Sequence, residues 1–126
     1  VTALPGWDKP LPSRTFSGML ESTKGGQKGY HVHYVLMEAE MDTPEEAPLI
    51  VWFNGGPGAS SLFGVFVELG PLVLSDESLK TAAYNATGVP TPQYNPHAWT
   101  RVGNVLAFSS PPPVGYSYCD AGGVTG

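Results

Sequence analysis

The sequence predicts an α/β fold in which an antiparallel hairpin leads into parallel strands of a mixed sheet, incomplete on its own. Three observations predict it. Two stretches of alternating polarity, 15–21 and 29–40, flank a short glycine-containing turn. Two continuous apolar runs, 48–53 and 104–108, follow without alternation. A helical segment separates those runs, an order that suits a sheet turning parallel and covered by helices.

Residues 1–13 carry three prolines and read as an extended arm. The run Thr15-Phe16-Ser17-Gly18-Met19-Leu20-Glu21 alternates in part, and the turn-rich Lys24-Gly25-Gly26-Gln27 follows it. Alternation is clearer over 29–40, where Tyr30, Val32, Tyr34 and Leu36 share one face. An acidic, proline-containing loop spans 42–48. Pro48-Leu49-Ile50-Val51-Trp52-Phe53 then stops sharply at Asn54-Gly55-Gly56, and a run of that kind predicts a strand buried on both faces. Ser60 or Ser61 caps a helix reaching about Leu69, which Gly70-Pro71 ends. Residues 72–92 lack periodicity and read as irregular. Residues 104–108 form the second buried strand, ending at Ser109-Ser110 and three prolines. Both buried strands need neighbours that the last residues, 120–126, do not provide, so a fragment is expected.

Composition narrows the class of function. Hydrophobic residues make up 41% of the 126 and charged ones 13%, as in a globular chain. Sixteen Gly and thirteen Pro imply many turns and loops. A net charge of -5 with six basic residues argues against nucleic acid, whose binding leaves a basic stripe. No apolar run approaches the roughly 18 residues of a spanning helix, and any leader peptide is expected to have been removed or left out. Cys119 is the only cysteine, so it either pairs outside these residues or is free. No metal or cofactor is implied. Asn85-Ala86-Thr87 is an N-glycosylation acceptor pattern and points toward a secretory route.

The loop after the first apolar run carries the chemistry. Adjacent glycines at 55 and 56 let the backbone adopt dihedrals closed to other residues and let a ligand approach the main chain. N–H groups held there can converge on one spot, which in acyl transfer is the oxyanion of the tetrahedral intermediate. Losing one such donor costs about 3 kcal/mol of barrier. The plainer reading is a tight turn that needs glycine for its geometry.

Trp52-Phe53-Asn54-Gly55-Gly56-Pro57-Gly58-Ala59-Ser60-Ser61-Leu62, with Glu68-Leu69-Gly70-Pro71, resembles the signature of the serine carboxypeptidases. Leu4-Pro5-Gly6, Phe16-Ser17-Gly18-Met19-Leu20, Asn95-Pro96 with Trp99, Asn104-Val105-Leu106, and Pro111 with Val114-Gly115-Tyr116-Ser117-Tyr118 resemble further blocks of that family, in order. The resemblance implies the N-terminal portion, residues 1–126, of a single α/β-hydrolase domain. It implies a serine-type carboxypeptidase that hydrolyses C-terminal residues through an acyl-enzyme. The N–H of Gly56, with Gly55 beside it, would be the oxyanion-hole element. Trp52, Asn54 and Glu68 would bind the substrate's free carboxylate, with the carboxyl of Glu68 protonated and activity greatest in acid. In the family it resembles, the nucleophile sits in a later Gly-Glu-Ser-Tyr-type elbow, with Asp and His further on, so these 126 residues alone are expected to be inactive. The partners implied are a peptide C-terminus and the remainder of the enzyme, or a second chain, carrying the triad. The implied location is the secretory pathway, ending in a vacuole, a lysosome or outside the cell.

Several other residues invite a role. Gly115-Tyr116-Ser117-Tyr118-Cys119 mimics a nucleophile elbow but ends in Cys, and by resemblance Ser117 is structural. Ser60 and Ser61 belong to the helix start. His31 and His33 stand two apart on a strand with no third ligand, and read as solvated histidines. His97 has no acid partner at recognisable spacing. The chain departs from the family at Ala59, where Cys is usual and anchors the loop by a disulfide. It departs again at Ser109, where an acid is usual, and at Pro112-Pro113. Two alternatives therefore stand beside the peptidase: an acyltransferase on the same scaffold, and an inactive structural subunit of a larger assembly.

Overall fold

A computed structural model describes residues 1–22 and 29–120, so the turn expected at 24–27 and the tail 121–126 lie outside the described residues. Strands β1 (Thr15–Ser22) and β2 (Tyr30–Met37) pair antiparallel along their whole length, as the alternation predicts. Strand β3 (Leu49–Trp52) follows the acidic loop. An α-helical turn, α1 (Leu62–Gly64), runs directly into a π-helical turn, Val65–Leu69, and ends where Gly70 N–H bonds the Val65 carbonyl.

The segment 72–92 is more ordered than its composition suggests. It holds the short strand β4 (Leu72–Val73), a 3₁₀ turn (Asp76–Leu79) capped by Ser75, and helix α2 (Ala82–Thr87). The Thr81 hydroxyl accepts from Tyr84 N–H at the start of α2, and Gly88 closes the helix. Strand β5 (Gln93–Tyr94) pairs with β4. These elements are one or two turns long and held by caps, so they leave no periodic signal in the sequence.

Strand β6 (Asn104–Phe108) lies at the centre, antiparallel to β2 and parallel to β3, which gives the order β1-β2-β6-β3. Strand β7 (Tyr118–Cys119) continues beside the start of β2. The mixed hairpin-to-parallel sheet is the predicted one. Asn104 locks the parallel pair in place: its Nδ2 donates to the carbonyls of Pro44 and Ala47, and its Oδ1 accepts from Ala39 N–H.

Strand register sorts the side chains into rows. Thr15, Met37, Val105 and Ile50 lie abreast, and beside them Ser17, Val35, Ala107 and Trp52. This face meets Val65, Leu69 and Phe66 of the helical segment and forms the core. The opposite face carries Phe16, Leu36, Leu106 and Val51 abreast, and it is open. Leu49, Val51 and Phe53 are 58%, 45% and 60% exposed. The expectation that 48–53 is buried on both faces therefore fails among the described residues: only one face has a covering layer. The face of Tyr30, Val32, Tyr34 and Leu36 is likewise the partly covered one, while His33 and Met37 point into the core side.

Candidate active site

The glycine loop leaves the C-terminal end of β3 and returns to the start of α1. Its base is closed by Asn54 N–H donating to the buried Ser61 hydroxyl at 3.0 Å. Within the loop Gly56 has φ +150°, and a Cβ there would stand 3.0 Å from Gly58 N and 3.1 Å from Ala59 N. Glycine is therefore required at 56 by both conformation and space. Residues 55–58 are exposed, and no acceptor among the described residues takes the N–H of Gly55 or Gly56. Unspent donors on an exposed loop at the end of a parallel strand are what an anionic oxygen needs.

The sheet rows bring Trp52 and Asn54 onto one side of β3. Trp52 Nε1–H donates to Asn54 Oδ1 at 3.1 Å, and Trp99 packs edge-on against the indole at 5.4 Å. The indole N–H is thus committed to Asn54, whose Nδ2 remains as the outward donor. Gly64 makes this possible, because a Cβ there would lie 2.5 Å from Trp52 Nε1 and 2.8 Å from Asn54 Oδ1. Gly64 went unnoticed in the sequence, where a glycine inside a helix signals only weakness. Glu68 lies four residues on, in the π-helical turn. It is exposed among the described residues. Asn95 holds this end of the helix, its Nδ2 donating to the Glu68 and Gly70 carbonyls.

Behind the loop runs a chain of small hydroxyls. Ser60 Oγ accepts from Leu62 N–H and lies 2.9 Å from Ser109 Oγ. Ser109 Oγ is 3.5 Å from His33 Nδ1, and His33 Nε2 is 2.9 Å from Ser17 Oγ. His33 is only 7% exposed, which corrects its reading as a solvated histidine. Burial lowers its pKa below the ordinary imidazole value. The period-two pattern could not tell the two faces of β2 apart, since apolar residues occupy both. His31 stacks on Tyr118 at 4.2 Å and pairs with Asp120.

Ser117 is buried and spent on the backbone: it accepts from His33 N–H at 2.8 Å and donates to the Ser109 carbonyl. That is a structural bond, in keeping with its reading as no nucleophile. Cys119 is free and partly buried in β7. Asn85 is exposed on α2, and the Thr87 hydroxyl donates to the Ala83 carbonyl.

The family model for serine carboxypeptidases matches residues 5–123. The lysosomal protective protein of Mus musculus is 37% identical over 120 residues, which are 95% of this chain and 22% of that protein. Serine carboxypeptidase 1 of Hordeum vulgare is 38% identical over 119 residues, 94% of this chain and 22% of its own length. The chain therefore spans between a fifth and a quarter of these relatives. Among solved structures it resembles Kex1(delta)p, a prohormone-processing carboxypeptidase from Saccharomyces cerevisiae. The TM-score is 0.68 with 24% identity, covering 91% of this chain and 23% of that one. This likeness identifies the sheet and its covering helix as part of an α/β-hydrolase fold.

Proposed function

The chain belongs to the serine carboxypeptidase family, and on that premise we propose that it forms the substrate-stabilising half of a serine-type carboxypeptidase site. The reaction is hydrolysis of the C-terminal peptide bond through an acyl-enzyme. Gly56 and Gly55 N–H groups would receive the oxyanion. The Nδ2 of Asn54, aimed by Trp52, would hold the substrate carboxylate together with Glu68. The observation that carries this reading is the turn itself: free N–H donors and a pre-oriented Asn54 amide stand within three residues at the end of one strand.

The serine, histidine and aspartate of the triad would come from the remainder of a single α/β-hydrolase domain, or from a second chain. The same remainder would cover the open sheet face and bury Glu68, which acid-favoured activity requires. Family membership and the exposed Asn85 acceptor support passage through the secretory pathway. The proposed destination is a vacuole, a lysosome or the outside of the cell. No helix among the described residues is long and apolar enough to cross a membrane.

The test uses the full-length protein. A fluorophosphonate probe should label an activated serine, and peptides with a free C-terminus should be shortened while amidated ones resist. Glu68→Gln should weaken cleavage and flatten the fall in activity as pH rises. A folded full-length protein that the probe does not label would favour the structural-subunit reading. An unchanged pH profile would remove Glu68 from carboxylate binding.

A further inference from the structure

We infer that Ser109 is a positioning residue for the glycine loop, acting through Ser60; the inference rests on the proposed oxyanion role of that loop. The loop has little of its own to hold it. A Cβ at Gly55 or Gly58 would touch nothing, so the walls of the loop are open. Ala59 offers no cross-link. Its position must therefore be set at its two ends. One end is continuous with β3. At the other, Ser61 returns to Asn54, and Ser60 meets Ser109 at 2.9 Å.

Ser109 is a rigid anchor. It is 1% exposed, its N–H donates to the His33 carbonyl at 3.0 Å, and its carbonyl accepts from Ser117. It directly follows β6, the strand at the centre of the sheet and parallel to β3. The chain of hydroxyls is continuous: Leu62 N–H donates to Ser60, and Ser60–Ser109, Ser109–His33 Nδ1 and His33 Nε2–Ser17 are each within hydrogen-bond reach, with either sense of donation satisfying all three. Packing leaves no slack, because a Cβ on Gly115 would stand 2.8 Å from the oxygens of both Ser60 and Ser109. A loop tied this way presents its N–H groups at one place relative to the sheet. A donor displaced by about 1 Å loses much of its value in the transition state and little in the ground state.

The experiment is a double-mutant cycle in the full-length enzyme with Ser60→Ala, Ser109→Ala and the pair. Each single variant should lower kcat about tenfold with KM within about twofold, and the pair should fall no further than either alone. Ser60 is only partly buried, so Ser60→Ala keeps the test alive if Ser109→Ala fails to fold. Unchanged kcat, or losses that multiply in the pair, overturns the inference. Should the wild type prove to have no carboxypeptidase activity, the proposed function fails separately. Amide exchange over 54–61 then decides the anchor. Faster exchange in Ser60→Ala supports it and equal exchange overturns it.

Discussion

Gly64→Ala separates the structure from ordinary helix rules because the two give opposite signs. Gly64 has helical dihedrals, φ -59° and ψ -37°, so alanine brings no backbone strain. Helix propensity alone then favours alanine by about 1 kcal/mol. Against this, the new methyl would lie 2.5 Å from Trp52 Nε1, 2.8 Å from Asn54 Oδ1 and 3.0 Å from Trp52 Cε2. Comfortable contact is about 3.5–4.0 Å. The indole is a rigid plate with Trp99 against it at 5.4 Å, so Asn54 can rotate away while the contacts with Trp52 remain as overpacking. Rotation breaks the 3.1 Å bond to Trp52, worth about 0.5–1.5 kcal/mol, and residual overpacking adds about 1–3 kcal/mol. The net is a loss of about 0.5–3.5 kcal/mol, with a raised KM for peptides bearing a free C-terminus, because the Asn54 amide has turned. Denaturant titration of the full-length variant and its steady-state kinetics measure both. A higher denaturation midpoint with unchanged KM would show that Gly64 provides no clearance for the Trp52–Asn54 pair.

Two further predictions follow from the same geometry. Asn104→Ala removes the partner of one N–H and two carbonyls where the acidic loop meets β6, and should cost about 2–3 kcal/mol by denaturant titration; a shift under about 0.5 kcal/mol would refute its role as the lock. His33 has a folded-state pKa below its unfolded value, so its contribution to stability is fully present above about pH 6.5 and declines as pH falls, while the unfolded chain takes up the proton. His33→Gln should therefore flatten the loss of Tm on acidification below that pH, and parallel Tm curves for the two proteins would refute the assignment.

Local pattern made the large elements legible. The alternation of 15–21 and 29–40, the apolar runs at 48–53 and 104–108, and the Gly70-Pro71 stop each correspond to an observed element. Covering could not be read this way. An apolar run such as Leu49-Ile50-Val51-Trp52-Phe53 reports that both faces tolerate burial, not that both are buried by the same stretch of chain. The residues opposite Ile50 and Trp52 are present, Val65 and Leu69 among them, and those opposite Leu49 and Val51 are not among the described ones. The π turn at Val65–Leu69 was also invisible, because one extra residue per turn barely disturbs a helical pattern eight residues long.

At the site, the polar residues were legible because their types are chemically explicit, but their assignments changed once hydrogen bonds were counted. Sequence alone offers Trp52 and Asn54 as two independent donors to a carboxylate. In the fold they are one unit, since the indole N–H is used to fix the amide. That arrangement favours discrimination over raw attraction: an Asn held by its carbonyl must present N–H, so an anionic group is accepted and a second donor is refused. Ala59 and Ser109 are departures from the family pattern. With Ser60 they fit the fastening inferred above, in which the buried Ser109 hydroxyl at the central strand's end holds the partly buried Ser60. A hydrogen-bonded fastening constrains the folded loop while leaving the unfolded chain free, whereas a disulfide acts chiefly on the unfolded chain. Reducing agents should accordingly leave the geometry of this loop untouched, and the loop's order should depend on Ser60 and Ser109 instead.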